Sequence, residues 1–160
     1  METLQELRIV HSYMGLFHTL VAVSAMVFGA LVFLNSKGTR KHKRLGYAYV
    51  VSMLVMNLSS FTLFNFGGFS LFHGFAVISL ITLGMGIVPA MRKKQKNWFT
   101  RHFYFMNWSV VGLYCAFWAE VGTRLVEMRY FWWTVALATF LTAMVGARLI
   151  NREAKKLKLV

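Results

Sequence analysis

The feature that most constrains this chain is a series of five long apolar stretches separated by short basic segments. A helix of about 20 apolar residues crosses the roughly 30 Å hydrocarbon layer of a bilayer. We therefore predict an all-α integral membrane bundle, a single domain over residues 1–160 with five transmembrane helices. The predicted spans are residues 9–35, 46–66, 70–91, 102–122 and 130–150.

The composition of the chain excludes several other classes of protein. Of its residues 58% are hydrophobic and 14% are charged, whereas a soluble domain has about 25% charged residues. A single Cys excludes a disulfide scaffold. The net charge of +13 is typical of nucleic-acid binders, but these basic residues lie between apolar stretches. The predicted partner is the lipid bilayer, and nucleic acid is not one.

The basic residues also predict the orientation of the chain. Of the 18 Lys and Arg residues, all but Arg8, Arg124 and Arg129 fall in two loops and the C-terminal tail. Five crossings place those three segments on one side, which the positive-inside rule makes cytoplasmic. We expect the N-terminus outside, the C-terminus in the cytoplasm, and a location in the bacterial inner membrane. There the basic segments orient the chain and contact anionic lipid headgroups.

Histidines are the most informative polar residues, because polar side chains within a bilayer usually face the bundle interior or a wet cavity. Since successive spans run in opposite directions, His18 and His73 are predicted at the outer level, and His42 and His102 at the cytoplasmic boundary. His11 shares a helix face with His18. Helical spacing places Gly15, Ala22, Ala25 and Gly29 on the His18 face, and Leu80, Gly84 and Met91 on the His73 face. The fifth span has no histidine.

Two neutral imidazoles from facing helices can ligate a haem iron, and small residues let the helices approach closely. One interpretation is therefore two haem b groups, bound by His18 with His73 and by His42 with His102. Arg44 and Arg101 would hold the inner propionates. Either His11 or His18 serves as the ligand from the first span.

Other interpretations of the same residues stay open. His11, His18, His73 and Glu120 have the donor types of a divalent metal site or a proton relay. Glu120 also stands four residues before Arg124, a spacing that favours a local ion pair. In a third interpretation the protein binds no cofactor, and the histidines are ordinary residues at the ends of the spans.

Two blocks of sequence resemble a known family. Gly38-Thr-Arg-Lys-His42-Lys-Arg-Leu-Gly46 and His102-x-x-x-Met106-x-x-Ser109 are similar to the signature blocks of a bacterial family of predicted multi-pass membrane proteins of unknown function. The alternating histidines are also similar to those of transmembrane di-haem cytochromes b. That second resemblance implies the ligand pairs His18 with His73 and His42 with His102.

These observations predict a small membrane protein that binds haem b through histidine pairs and transfers electrons across the bilayer. If it is an enzyme, it is a haem-dependent membrane oxidoreductase or electron carrier. The alternative is a non-redox protein, either a metal or proton transporter or relay, or a structural subunit of a larger membrane complex. Further membrane subunits or a second copy of the chain are the protein partners considered.

Overall fold

The structure is a computed structural model that describes residues 13–63 and 68–159, apart from the side chains of residues 123, 124 and 128. The described residues contain no β-strand. They form five α-helices, with a short 3₁₀ turn at Met128–Tyr130. The helices are α1 (Tyr13–Leu34), α2 (Arg40–Ser60), α3 (Leu71–Arg92), α4 (Trp98–Leu125) and α5 (Phe131–Lys156). The all-helical prediction is confirmed for this part of the chain.

By length and composition, three of the described helices are apolar enough to cross a membrane, namely α1, α3 and α5. The other two are more polar for reasons visible in the sequence. Helix α2 begins at Arg40, and its first five residues are four basic residues and a histidine. Helix α4 includes Arg101, His102, Asn107 and Glu120. The prediction of five crossings, and that of their orientation, therefore stays a prediction.

Some helices begin or end at different residues from the predicted spans. At these places hydrogen bonds at the helix end, rather than hydropathy, determine where the helix stops. Lys37 ends α1 by donating from Nζ to the carbonyl oxygens of Val32 and Phe33, at 3.1 and 2.8 Å. Gly38 then adopts a φ of +80°, which favours glycine. Thr39 caps α2, which begins at Arg40, six residues before the predicted start. Helix α5 continues six residues past its predicted end, to Lys156.

The chain forms two compact units that divide within α3, residues 1–80 and residues 81–160. In the first unit α1 packs against α2. Ala25 and Gly29 are buried on α1, which confirms the predicted small-residue face that continues from His18. On α2 the buried line runs through Tyr49, Met53 and Asn57, residues that share a helix face.

In the second unit α4 packs against α5 as an antiparallel pair. A methyl group added at Gly146 would meet the side chain of Val111, and one added at Gly122 would meet Thr134. Glycine therefore lets these two helices approach closely at both ends of their contact.

The predicted inward line of α3 is wrong in its second half. His73 is buried, but Met91 on the same line is 65% exposed. The buried residues of the second half are Leu83 and Gly86, on a different side of the helix. Helical spacing from one histidine cannot follow a buried surface that changes side along the helix.

Candidate functional site

His18 is fixed by a hydrogen bond to the neighbouring helix. Its Nδ1 lies 2.8 Å from the Oγ of Ser59 on α2. The Ser59 Oγ also lies 2.8 Å from the carbonyl oxygen of Met56, a bond in which the hydroxyl can only donate. When that bond is made, the imidazole Nδ1 is the donor to Ser59. The neutral ring therefore carries its proton on Nδ1 and its lone pair on Nε2. Histidines that bind a metal through Nε2 have this arrangement, with Nδ1–H held by an oxygen atom of the protein.

His73 is held differently, by the start of its own helix. Ser70 is the residue before α3, and its backbone N–H donates to Nδ1 of His73 at 3.0 Å. The ring occupies the third position of the helix, where a Glu or Gln side chain accepts the same bond in a capping box. In this geometry the proton of the neutral ring is on Nε2, which is buried. The Ser70 hydroxyl oxygen is also 3.0 Å from Nδ1.

The structure places His18 and His73 at the same end of α2. His18 contacts Ser59, and the His73 ring centroid is 6.1 Å from that of Phe61 and 4.9 Å from that of Phe69. His73 is 3% exposed. The predicted common level of these two histidines therefore agrees with their contacts to residues at the C-terminal end of α2.

His42 lies at the opposite end of the same helix. The side chain of Thr39, the N-cap of α2, accepts from the backbone N–H of His42 at 3.1 Å. Seventeen residues separate His42 from Ser59, which is about 25 Å along a helix axis. Within the first unit the histidines thus stand at two levels, as the sequence predicts. His102 belongs to the second unit, so its predicted pairing with His42 stays a prediction.

His102 bonds to a helix carbonyl in its own unit. Its Nδ1 lies 2.9 Å from the carbonyl oxygen of Gly86 on α3. A carbonyl oxygen can only accept, so Nδ1 donates and the lone pair of the neutral ring is on Nε2. Gly86 precedes Pro89 by three residues, and the carbonyl that Pro89 leaves without its helical donor is that of Met85, four residues before the proline. The bond from His102 is therefore made to the neighbouring carbonyl of the same turn.

Met106 fits against the same glycine. A Cβ atom at Gly86 would stand 2.7 Å from the Met106 sulfur and 3.1 Å from its backbone nitrogen. His102 and Met106 are one helical turn apart, so both face the same turn of α3. The block His102-x-x-x-Met106-x-x-Ser109 therefore has a packing role. Its last member donates from Oγ to the carbonyl oxygen of Met106, at 2.8 Å.

The remaining predicted site residues are Arg44, Arg101, Glu120 and His11. Arg44 is exposed in the second turn of α2, and Arg101 donates to Oε1 of Gln95 at 2.8 Å. Glu120 is half-buried on α4 in the second unit, and its predicted partner has its side chain outside the described part of the chain. His11 lies outside the described residues. Within those residues no three His, Cys, Asp or Glu side chains come together as a metal site.

The family of the chain follows from a comparison of sequences. Residues 15–153 match the family described as Predicted membrane protein (DUF2306). The chain belongs to this family. The DUF2306 family has no established function, and this result confirms the predicted resemblance to a family of membrane proteins. No curated protein and no solved structure gives a match to the chain.

Sequence reasoning missed the residues that hold the histidines of this DUF2306 chain. Ser59 and Gly86 gave no signal, because a hydrogen bond between helices depends on their packing. A signal was present for the other two histidines. Thr39-Arg-Lys-His42 and Ser70-Leu-Phe-His73 both place a histidine three residues after a Thr or Ser, which is the spacing of a helix N-cap and its third helical residue.

Proposed function

We propose that this membrane protein binds haem b at the outer level of its first unit, through His18 and His73, and that it transfers electrons. On this proposal all five helices cross a bacterial inner membrane with the N-terminus outside. The observation that carries the proposal is the hydrogen bond from His18 Nδ1 to Ser59, which fixes the tautomer that ligates a metal through Nε2.

The position of His73 supports the same site. Bis-histidine ligation needs two imidazoles at one level on different helices, and His18 on α1 and His73 on α3 both stand beside the C-terminal end of α2. Ligation through Nε2 of His73 requires its proton on Nδ1. The Ser70 hydroxyl oxygen, 3.0 Å away, can accept that proton in place of the bond from the Ser70 N–H. Ser70 can therefore support either tautomer.

Haem b, when bound, supplies a centre that gains and loses one electron without a proton. The residues of the chain have three tasks around it. His18 and His73 provide neutral imidazoles, Ser59 and Ser70 orient those rings, and Phe61 and Phe69 cover His73 with apolar surface. A low-polarity surrounding of this kind tunes a haem potential. The electron donor and acceptor must come from other molecules.

The proposal is tested by expressing the protein with an ample haem supply and recording the absorption spectrum in detergent. Wild-type protein should show the spectrum of low-spin haem b, with a matching amount of haem extracted into pyridine. His18→Ala and His73→Ala should each lose that spectrum. His11→Ala is the matched control and should keep it. Folded wild-type protein without haem would overturn the proposal, and loss in the His11 variant alone would move the ligand to His11.

A proton relay is the second candidate, and the tautomer of His73 favours it. With Nδ1 accepting from Ser70, His73 has a donor at Nε2, whereas His18 has an acceptor at its own Nε2. Proton transfer needs such a donor and acceptor, either within hydrogen-bond distance or bridged by water. If haem is absent, proteoliposomes containing wild-type protein should conduct protons, and His18→Gln or His73→Gln should abolish that flux.

Metal analysis of the same preparations tests the divalent-metal alternative, which predicts a bound ion that His18→Gln removes.

A further inference from the structure

Helix α5 carries one exposed face that changes character along its length. Leu137, Leu141 and Val145 are exposed, and further along the same face Arg148, Arg152 and Lys155 are exposed as well. At 100° per residue these six side chains lie within an arc of about 80°. The face is apolar for two turns and basic for the next two.

The opposite side of α5 is the packed side. Val135, Gly146, Ile150 and Ala154 are buried there. Packing therefore continues along the helix beyond residue 150, where the apolar stretch ends. The basic turns are thus held on a helix that is anchored along its other side, so the backbone positions of the three basic residues are fixed relative to the apolar half of the face.

No carboxylate lies on the basic half of this face. The acidic residue of α5, Glu153, lies on another side of the helix, and its Oε1 accepts from the Nζ of Lys156 at 2.6 Å. The positive potential of Arg148, Arg152 and Lys155 is therefore not neutralised by α5 itself. A surface with this charge is complementary to a phosphate group.

The helix dipole explains only the end of this pattern. Cations stabilise the C-terminal turn of a helix, which accounts for Lys155 and Lys156. Arg148 stands about two turns before the helix end, where the dipole effect has faded. The dipole also does not select one face. The alignment of the arginines below the exposed apolar residues needs another explanation.

We propose that this face of α5 binds an anionic phospholipid. The acyl chain lies along Leu137, Leu141 and Val145, and the phosphate contacts Arg148, Arg152 and Lys155. The rise of 1.5 Å per residue separates Arg148 from Lys155 by about 10 Å, so the three basic residues extend across the polar layer of about 5–8 Å on one side of a bilayer. Planar guanidinium groups also suit bidentate contact with phosphate. The proposal does not depend on haem.

The test counts lipids that stay bound to the purified protein. Wild-type protein is placed in nanodiscs of equal parts phosphatidylglycerol and phosphatidylcholine, returned to detergent and analysed by native mass spectrometry. Retained phosphatidylglycerol should exceed phosphatidylcholine. Each arginine near a charged headgroup contributes about 1 kcal/mol, or about fivefold, so R148Q/R152Q should bind phosphatidylglycerol roughly 30-fold more weakly.

The matched control is K94Q/K96Q, which removes the same charge from two exposed lysines outside α5. It should retain phosphatidylglycerol nearly as well as wild type. Glycerol phosphate should not displace the lipid, because it lacks the acyl chains. Equal losses in the two double variants, equal retention of both lipids by wild type, or displacement by glycerol phosphate would each overturn the proposal.

Discussion

The four described histidines fall into two environments. His18 and His102 donate from Nδ1 to an oxygen atom on a neighbouring helix, Ser59 Oγ and the Gly86 carbonyl respectively. His42 and His73 instead occupy the third position of α2 and α3, after a capping Thr or Ser. The comparison shows that histidines at similar places in a span make different kinds of hydrogen bond. The bond from His18 to Ser59 leaves the lone pair of the neutral ring on Nε2, whereas the bond at the start of α3 leaves the proton of His73 on Nε2. His73 can therefore act as a ligand through Nε2 only when its proton moves to Nδ1.

The largest expected difference is between replacing one histidine of each kind. His18→Ala should remove the haem of the outer level completely, because an axial ligand is lost. His42→Ala should leave the spectrum of that haem in place, since it lies at the other end of α2. Haem content by pyridine extraction measures both. If both variants kept the haem of the outer level, or if His42→Ala lost it as His18→Ala does, the assignment of the outer ligands would be wrong.

The anchoring of His18 can be tested without touching the histidine. Ser59→Ala removes the oxygen that accepts the proton of Nδ1, and loss of such a contact typically weakens metal binding 10- to 100-fold. We expect a loss of that order in the affinity for haem, measured by titrating haem into haem-free protein.

Ser60→Ala is the matched control for this prediction. Ser60 is half-buried, whereas Ser59 is buried, and it likewise donates to a carbonyl oxygen one turn back, that of Asn57 at 2.7 Å. Its variant should bind haem as wild type does. Equal affinities in the Ser59 and Ser60 variants would contradict the role given to the His18 bond.

Two glycines on α3 test the close contact between α3 and the helical turn that contains His102 and Met106. A Cβ at Gly86 would collide with Met106, whereas one at Gly84 would meet nothing within 4 Å. Gly86→Ala should lower the free energy of unfolding by about 1–3 kcal/mol, the usual cost of overpacking. Gly84→Ala should raise it by about 0.5–1 kcal/mol, because alanine favours a helix. Unfolding in mixed micelles measures both, and a stabilised Gly86 variant would contradict the close contact.

The smallest expected effect concerns the helix start at His42. Thr39→Ala removes the cap of α2 and should lower the free energy of unfolding by about 1 kcal/mol. Thr39→Ser keeps the hydroxyl and should restore most of that stability. The same micelle titration applies. If serine fared no better than alanine, the threonine would act through something other than its cap.

Much of the helical fold could be predicted from sequence, because stretches of about 20 apolar residues indicate long apolar helices. Helix ends were predicted less well. Hydropathy placed the start of the second span at residue 46, but Gly38 and Thr39 begin the helix at Arg40. The second half of α3 was also misjudged, because Leu83 and Gly86 are buried on a side that spacing from His73 does not reach.

The candidate site was predictable in its residues but not in its chemistry. The common level of His18 and His73 followed from the direction of the spans. Which ring nitrogen carries the proton could not be predicted, since that depends on Ser59, Ser70 and the backbone atoms within 3 Å. These contacts exist only after the helices pack.

The most direct test of the account is the nitrogen-15 NMR spectrum of the histidine side chains in haem-free protein, assigned with single His→Gln variants. At a pH where the rings are neutral, His18 and His102 should show the proton on Nδ1, whereas His73 should show it on Nε2. A proton on Nε2 of His18 would contradict the central claim that the bond from Nδ1 to Ser59 prepares His18 as a haem ligand.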